Sequence, residues 1–290
     1  MCGTFFVIKK NNESKAVQKQ VLLEAQKEEQ RQERLREEEK KLIELKKRLE
    51  EQKKLDEKLK HDEAVKGIGA SQRIPVLMYH SIDYEKGNEL RIPKEKFREQ
   101  MKYLKDNDFN TLSLEELYSH IVFGSKIPNK PIVLTFDDGY VDNYINAYPV
   151  LREFGFKAAI FAITNTIDVP GSYLNSSQIK ELDANGISIE SHTVSHPKLD
   201  KLSYEKQVEE LKESKEALEK ILGREVKYFA YPYGLFNNDT LKAVQELGYK
   251  MAVSMKSGLA EKKNGVYMLN RFYVSNNDNL EKFKSYVNIK

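Results

Sequence analysis

Short apolar runs alternate with amphipathic segments along most of this chain, from residue 73 to the C-terminus. The apolar runs have the length of buried β-strands, and the amphipathic segments repeat their apolar residues every three or four positions, as helices do. The predicted strands are residues 74–79, 132–136, 158–163, 187–190, 226–230, 250–254 and 266–274. The predicted helices are residues 94–107, 142–154, 177–185, 204–222 and 239–247.

The order of these elements predicts an α/β fold with a parallel sheet. Four of the predicted helices are followed directly by a glycine, which suits the left-handed conformation that closes many helices. These residues are Gly155, Gly186, Gly223 and Gly248. Strand, helix, glycine and strand in repetition is typical of right-handed βαβ units. Seven such strands favour an incomplete (β/α) barrel over a doubly wound sheet.

Residues 13–66 have a different composition and predict a long charged helix or coiled-coil spacer. Between residues 13 and 65 there is no glycine or proline, and 30 of these 53 positions are charged, 15 acidic and 15 basic. The abundant Glu, Lys, Arg, Gln and Leu favour a helix. Leucines share a heptad position over part of the segment, but Glu28 and Asp56 interrupt the series. A solvated spacer and self-association through a coiled coil both remain open.

The chain therefore divides into three predicted parts. The small residues at 67–71 mark a boundary where the composition changes. The parts are an N-terminal segment at residues 1–12, the charged helix at residues 13–66 and a domain at residues 67–290.

Charge and composition exclude several classes of function. The 290 residues include 48 Lys and Arg against 45 Asp and Glu, a net charge of +3 that is too small and too mixed to predict a nucleic-acid partner. Cys2 is the only cysteine, which excludes an internal disulfide and any thiolate cluster. A metal site would therefore need His and carboxylate ligands. No apolar run approaches the ~18 residues of a membrane span.

Polar and aromatic residues collect directly after predicted strands, where the functional groups of a parallel barrel lie. The four groups are Tyr79-His80-Ser81, Asp137-Asp138-Gly139-Tyr140, Ser191-His192-Thr193-Val194-Ser195-His196-Pro197 and Tyr231-Pro232-Tyr233-Gly234. Each is a weak signal alone, because Asp-Asp-Gly is also a common capped turn and a histidine pair is more often structural. His61 and His120 have no such companions, and we interpret them as structural or solvated.

Together, these groups form a set suited to metal-assisted hydrolysis. The imidazoles of His192 and His196 with one carboxylate can hold a divalent transition metal, Zn²⁺ being the first choice, and leave coordination positions open. Of the two adjacent aspartates, one can bind the metal while the other accepts a proton from a metal-activated water. His80 can donate a proton to the leaving group, and a backbone N–H in the turn at Tyr233 can stabilise an oxyanion.

The same residues resemble the polysaccharide deacetylases of the NodB-homology type, carbohydrate esterase family 4. The resemblance covers residues 74 to about 275 and depends jointly on three of the motifs, beginning at Thr135, Ser191 and Tyr231. It implies a distorted seven-stranded (β/α) barrel, preceded here by the long charged helix. It also implies a hydrolase that removes acetyl groups from glycans with one divalent metal ion, Zn²⁺ or alternatively Co²⁺ or Ni²⁺.

By position, the resemblance implies that Asp137 is the catalytic base. Asp138, His192 and His196 would then be the metal ligands, and the backbone of Tyr233 would polarise the acetyl carbonyl.

Two further stretches, residues 75–80 and 229–234, are similar to the branch that acts on poly-β-1,6-N-acetylglucosamine in biofilms. In that branch the histidine of the first strand is the general acid, so the resemblance gives His80 this role.

The chain departs from the family pattern in two places. Many members carry an Arg at the start of the third motif, where this chain has Phe229 or Ala230, and a Trp in the fourth motif, whereas this chain has no Trp. Arg271, near the end of the last predicted strand, could supply the missing positive charge beside Asp137. The alternative interpretation of Arg271 is a surface salt bridge.

The expected function is therefore removal of N-acetyl groups from a β-linked GlcNAc polymer, with poly-β-1,6-N-acetylglucosamine as the leading substrate. Peptidoglycan and chitin-type GlcNAc are alternatives, because the metal site would be common to all three. An alternative of another class is a non-catalytic glycan-binding or coiled-coil scaffold protein, in which residues 13–66 are the functional part.

A polymer of this kind lies outside the membrane, which predicts an extracellular or cell-surface protein associated with the membrane or cell wall. Residues 1–12 conflict with this, because they lack the apolar core of a secretory signal. One resolution is a start further upstream, with Cys2 as the lipid-bearing residue of a surface lipoprotein and the charged helix as its stalk. Another is that residues 5–8 are the remnant of a longer anchor.

Overall fold

The computed structural model describes residues 31–32 and 72–288. Contacts divide the chain into two compact units, Met1–Glu63 and Ala64–Lys290. In the first unit only Arg31 and Gln32 are described, and both are helical. The rest of the predicted charged helix, the segment 1–12 with Cys2, His61 and the boundary at 67–71 lie outside the described residues. The three-part division therefore stays a prediction.

The second unit contains one curled sheet in which all strands run parallel. The described strands are β1 (Val76–Tyr79), β2 (Asn110–Thr111), β3 (Pro131–Asp138), β4 (Ala158–Ala162), β5 (Ile187–Ser191), β6 (Tyr228–Ala230), β7 (Met251–Val253) and β8 (Phe272–Tyr273). Seven of them follow the order β7-β6-β5-β4-β3-β1-β8, and β2 pairs only with the start of β3. This arrangement confirms the predicted seven-stranded, incomplete (β/α) barrel.

Seven α-helices are described, most of them in the connections between strands. They are α1 (Lys94–Asp106), α2 (Leu114–Phe123), α3 (Tyr148–Phe154), α4 (Ser176–Ala184), α5 (Tyr204–Leu222), α6 (Asn238–Glu246) and α7 (Leu280–Val287). A π-helix at Asn143–Ala147 precedes α3 directly. Within the part of the chain that is described, no helix combines the length and the apolar character needed to cross a bilayer.

The predicted strand at residues 266–274 is wrong as a single element. Val266 and Leu269 share backbone hydrogen bonds with Ala252 in β7, at 3.0 and 3.1 Å, whereas only Phe272–Tyr273 pairs with β1. The segment passes from one edge of the sheet to the other, so its backbone cannot follow one partner throughout. The predicted elements also lack β2, α2 and α7.

The strands separate two layers of apolar side chains because successive residues point to opposite faces. In β1, Leu77 and Tyr79 belong to the layer shared with most of the helices, while Val76 belongs to the other layer. Leu117 and Ile121 of α2 pack into that second layer. A capping box at Ser113 fixes the start of α2. The carboxyl ends of the strands remain available for a functional site.

Candidate metal centre and active site

The register of three neighbouring strands brings two of the sequence motifs together. Asp138 ends β3 opposite Ala162 of β4, and Ala162 lies opposite Ser191, the last residue of β5. His192 follows directly and donates its backbone N–H to the Ala162 carbonyl at 3.0 Å. The aspartate pair and the histidine motif therefore meet at the carboxyl edge of the sheet.

Asp138, His192 and His196 form a compact set of possible metal ligands. Oδ1 of Asp138 lies 3.5 Å from Nε2 of His192 and 3.6 Å from Nε2 of His196. The ligand atoms of the three residues all lie within 4.8 Å of one another. Ligands held by one tetrahedral Zn²⁺ at ~2.0–2.1 Å stand roughly 3.3 Å apart. The two distances from Asp138 to the histidines are therefore within a few tenths of an ångström of the spacing around a single divalent ion.

A hydrogen bond outside the ligand set fixes the orientation of the His192 ring. Its Nδ1 lies 2.7 Å from the carbonyl oxygen of Ala230 in β6, so Nδ1 carries the proton and donates it. Nε2, the nitrogen that faces Asp138, is then left with a lone pair for a cation. A metal-binding histidine commonly donates its other ring N–H to a carbonyl or carboxylate oxygen, as His192 does here.

The loop that carries His196 is held in an unusual backbone conformation. Thr193 and His196 have left-handed φ values of 68° and 58°, and Thr193 Oγ1 accepts the His196 N–H at 2.9 Å. Glu210 of α5 accepts the N–H groups of Val194 and Ser195, each at 2.9 Å. Glu210 thus holds the loop in place. The sequence analysis missed Glu210 because it is one of many glutamates on a charged helix and carries no local signal.

Burial controls the protonation of the ligand set. It lowers the pKa of His192 to about 3 and also lowers that of His196, so both rings are neutral and able to bind a cation. Burial, reinforced by the neighbouring Asp137 carboxylate, raises the pKa of Asp138 to about 7. A metal ion binding at this carboxylate would therefore compete with a proton near neutral pH.

Asp137 has a different partner from Asp138, its neighbour in sequence. Its carboxylate oxygens accept hydrogen bonds from Nη1 and Nη2 of Arg271, each at 2.7 Å, and both side chains are almost fully buried. Burial alone would raise the pKa of Asp137, but the Arg271 guanidinium lowers it to about 2. Asp137 is therefore an ionised carboxylate held in one orientation. Arg271 lies in the barrel and is not part of a surface salt bridge.

Arg271 is itself fixed by two further acceptors. Its Nε donates to the carbonyl oxygen of Ser254 at 3.0 Å, and its Nη1 also contacts Thr135 Oγ1 at 3.1 Å. The guanidinium carbon lies 5.7 Å from the centre of the Phe161 ring. These contacts leave the guanidinium little freedom, so they also determine where the Asp137 carboxylate points.

His80 lies directly after β1 with its ring buried. Its Nδ1 has no hydrogen-bond partner among the described residues, and its ring packs edge-on against Tyr273 with 5.7 Å between ring centres. Burial lowers the pKa of His80, and the Asp137 carboxylate partly offsets this. The interaction places His80 within the electrostatic reach of Asp137.

Asp142 and Asn143 anchor the loop after His80, and the sequence analysis identified neither residue. Nδ2 of Asn143 donates to the His80 carbonyl oxygen at 2.8 Å. Asp142 accepts the Ser81 hydroxyl and the Ile82 N–H, both at 2.7 Å. These contacts are buried, and Asn143 begins the π-helix, a distortion that often occurs at functional sites.

We expect Asn143→Ala to impair turnover more than substrate binding. The His80 carbonyl would lose its buried hydrogen-bond donor, which should cost about 1–3 kcal/mol of stability. Displacement of the His80 ring should lower kcat by roughly 10²-fold, while KM changes little. Asn146→Ala is the matched control, because Asn146 makes the same bond, at 2.8 Å, to the carbonyl of Ile82. Denaturation and steady-state kinetics of both variants would check this. An equal effect on kcat in the two variants would contradict it.

Tyr233 contacts His196 of the ligand set. Its backbone is left-handed with φ 58°, and its ring centre lies 4.5 Å from that of His196. The Tyr233 N–H makes no hydrogen bond within the described chain. An N–H left unpaired by such a turn can bind an oxygen that carries negative charge.

The remaining histidine in the described domain has a structural role. His120 of α2 is buried, and its Nδ1 and Nε2 lie 2.8 and 3.3 Å from the carbonyl oxygens of Ser125 and Gln72. It lies in a different part of the domain from the ligand set. The interpretation of His120 as structural agrees with these contacts, and the solvated alternative does not.

A curled parallel sheet that carries two histidines and one carboxylate able to hold a metal ion, with a separate buried carboxylate beside them, is typical of a metal-assisted hydrolase. Residues 124–252 match the family described as polysaccharide deacetylase. The Bacillus subtilis protein YxkH, whose name assigns it to the polysaccharide deacetylases, is 40% identical over 215 residues, which is 74% of this chain and 76% of YxkH. This chain belongs to the polysaccharide deacetylase family, whose members hydrolyse N-acetyl amide bonds.

Solved structures and a further relative agree with this assignment. The Streptococcus pyogenes deacetylase PplD, solved in complex with acetate, is 33% identical with a TM-score of 0.72, covering 76% of this chain and 100% of PplD. The poly-beta-1,6-N-acetyl-D-glucosamine N-deacetylase of Staphylococcus aureus is 28% identical over 197 residues, 63% of this chain and 68% of that protein. IcaB from Ammonifex degensii, at 21% identity and a TM-score of 0.67, covers 75% of this chain and 97% of IcaB and shares the fold.

Proposed function

We propose that this chain is a metal-dependent N-deacetylase of a β-linked GlcNAc polymer, with poly-β-1,6-N-acetylglucosamine as its leading substrate. The observation that carries the proposal is the buried Asp137–Arg271 pair beside the Asp138, His192 and His196 set. A protein that only binds glycans has no need for an ionised, unligated carboxylate at this position. The Staphylococcus aureus relative supports the choice of linkage.

Each side chain of the site has a role in this proposal. Asp138, His192 and His196 would hold the divalent ion, for which Zn²⁺ is the first choice and Co²⁺ or Ni²⁺ fit the same donors. When bound, the ion would supply a Lewis acid that activates water and polarises the acetyl carbonyl. Asp137 accepts the proton of the attacking water, and Arg271 keeps its carboxylate ionised and oriented.

Two groups act on the other side of the reacting carbon. The Tyr233 N–H donates a hydrogen bond to the acetyl oxygen as negative charge develops there. His80 donates a proton to the leaving nitrogen. Because burial lowers its pKa, His80 is neutral near pH 7 before the reaction, and the proton that it passes to the nitrogen is the one that Asp137 has taken from the attacking water, so both side chains return to their starting state.

We expect His192→Ala to abolish tight metal binding. The variant removes a ligand whose orientation is fixed by the Ala230 carbonyl. Asp138 and His196 would remain, which are fewer than the three protein ligands of a catalytic zinc site. Metal content after dialysis, measured by elemental analysis, should fall from about one Zn²⁺ per chain to near zero. His80→Ala is the control, because it should keep the metal while losing activity. Retention of full metal content by the His192 variant would contradict the ligand assignment.

The proposed function is tested by acetate release from β-1,6-linked GlcNAc oligomers, run beside β-1,4-linked oligomers with the zinc-loaded chain. Release from the β-1,6 series alone would support the proposal as stated. Release from the β-1,4 series alone would move the substrate to peptidoglycan or chitin-type GlcNAc. Absence of release from both series, with metal bound, would favour a non-catalytic glycan-binding or scaffold protein.

We further propose that the protein works at the cell surface, with the N-terminal segment associated with the membrane or wall. This follows from the size of the proposed substrate. Blotting of membrane and cytosolic fractions, after expression from the natural reading frame, would test it, and a purely cytosolic protein would contradict it. Self-association through residues 13–66 is tested by comparing the mass in solution of the full chain and of a chain without them.

A further inference from the structure

The loop at residues 192–196 carries two of the three candidate metal ligands, one at each end. One side of this loop continues the pairing of β4 with β5. The carbonyl oxygens of Thr193 and Val194 accept the N–H groups of Thr164 and Asn165, at 3.1 and 3.0 Å. These bonds fix the loop carbonyls to the sheet, but the N–H groups of the loop need other partners.

Glu210 of α5 binds the loop through its N–H groups. Its carboxylate accepts the consecutive N–H groups of Val194 and Ser195, each at 2.9 Å, and the Ser195 hydroxyl at 2.6 Å. Successive backbone N–H groups that face the same way form a concave site for an anion. A charged acceptor also makes stronger hydrogen bonds than a neutral one. The Glu210 carboxylate therefore fills an anion site that the loop itself forms.

The carboxylate of Glu210 is used for this loop and for no ion pair. Within the described part of the chain Glu210 forms no salt bridge, whereas its neighbour Glu209 pairs with Lys206 at 2.6 Å. The three bonds of Glu210 go to the backbone and the hydroxyl of the loop, and none goes to the side chain of a candidate ligand. Any effect of Glu210 on the ligands must therefore pass through the loop backbone.

The backbone conformation that Glu210 supports is unfavourable by itself. Thr193 and His196 have φ values of 68° and 58°, in the left-handed region that residues other than glycine adopt rarely. Such conformations persist where surrounding contacts enforce them. The two N–H groups that Glu210 accepts lie between these residues, at positions 194 and 195. Loss of the carboxylate would release the part of the loop that determines where the His196 side chain points.

We propose that Glu210 is a positioning residue that holds His196 in place before a metal ion binds and thereby sets the metal affinity of the site. The inference rests on the proposed function, because it takes Asp138, His192 and His196 as the ligands. His192 is also held by the Ala230 carbonyl, so the effect of Glu210 falls mainly on His196. In a chain without this carboxylate, metal binding must also order the loop, and the ordering makes binding weaker.

The zinc affinity of the full chain tests this inference without any need for turnover. We expect Glu210→Ala to raise the Kd for Zn²⁺ by roughly 10–100-fold, the range for loss of a group that supports a metal ligand. Competition with a chromophoric chelator measures this Kd. Glu209→Ala is the matched control, because Glu209 is an exposed residue of the same helix and pairs with Lys206. Its Kd should equal that of the wild type.

Two further variants assign the effect to the bonds with the loop. Glu210→Gln should stay within a few-fold of the wild-type Kd, because its amide oxygen can accept both N–H groups and its NH₂ group can donate to the Ser195 hydroxyl. Ser195→Ala should weaken zinc binding by itself, but it should cause no further loss in a Glu210→Ala chain, because the hydroxyl acts through the same carboxylate. Equal additional loss in both backgrounds would contradict this assignment.

A purely structural role of Glu210 predicts a different result. Glu210→Ala would then lower the melting temperatures of the metal-free and the zinc-loaded chain equally and leave the Kd for Zn²⁺ unchanged, which would overturn the inference. We expect instead that the gap between the two melting temperatures narrows at a fixed zinc concentration. Weaker binding to the folded chain gives less stabilisation by the same amount of ligand.

The outcomes separate this inference from the proposed function. A zinc affinity that depends on Glu210, in a chain that releases no acetate, would support the inference and refute only the proposed function. Acetate release together with a zinc affinity that Glu210→Ala does not change would refute the inference alone.

Discussion

Asp137→Asn should lower the rate of acetate release by roughly 10²–10⁴-fold, the range associated with loss of a general base. Asparagine has nearly the same shape as aspartate and can still accept a hydrogen bond from Arg271, but it cannot take a proton from the attacking water. Asp137 is ionised at neutral and mildly acidic pH, because Arg271 lowers its pKa to about 2. The wild-type chain therefore has an ionised carboxylate as its base at the pH of the assay. The variant removes this proton acceptor but keeps a side chain of nearly the same size.

The measurement is acetate release by wild-type and variant chains at equal zinc content. Asp106→Asn is a suitable control, because Asp106 is an exposed aspartate at the end of α1 that pairs with Lys102 of the same helix. Its rate should match that of the wild type. An Asp137→Asn chain that binds zinc and releases acetate at the wild-type rate would show that another group is the base.

The sequence predicts the fold well because the pattern of apolar residues and the terminal glycines are local signals. The helix predicted at residues 204–222 coincides with α5, and Gly223 closes it in the left-handed conformation. The segment 266–274 fails because its pairing changes from β7 to β1 within a few residues, and this depends on the curl of the whole sheet. A periodic pattern of apolar residues predicts which side chains are buried, but it does not predict which strand a segment pairs with.

In the candidate site, too, some residues can be predicted from short local motifs, and others depend on contacts between distant parts of the chain. The aspartate pair and the two histidines are recognisable from short motifs, whereas Arg271 is indicated only by a family position that lacks its usual arginine. Its pairing with Asp137 spans 134 positions in sequence. Glu210 and Asn143 could not have been predicted, since their roles depend on which loops pack against their helices.

A backbone feature unites several of these residues. Among the described residues that are not glycine, seven have positive φ values, and four of the seven lie in the site: Asp138, Thr193, His196 and Tyr233. Such conformations are unfavourable for ordinary side chains and persist where the surrounding contacts enforce them. No sequence pattern indicates them, but they determine which way the ligand side chains and the Tyr233 N–H point.

Arg271→Met should destabilise the folded domain by about 3–5 kcal/mol, because it leaves the Asp137 carboxylate buried without its partner. Asp137 is only 2% exposed, so water cannot replace the guanidinium. Methionine fills much of the arginine volume, which limits the effect of a cavity. The free energy of unfolding from denaturant titration would measure the loss. Arg98→Met is the matched control, since Arg98 makes the same two-point contact with Glu153 on the surface and should have a much smaller effect.

The double variant Arg271→Met, Asp137→Asn separates an unpaired charge from lost packing. If the cost of the single variant comes from the buried carboxylate, removal of that charge should restore a large part of the stability, and the two substitutions will not be additive. If the cost comes from the lost contacts of Arg271 to Ser254 and Thr135, the double variant will be as unstable as the single one or more so. Recovery of stability without recovery of acetate release would show that this pair serves to keep a charged base inside the barrel.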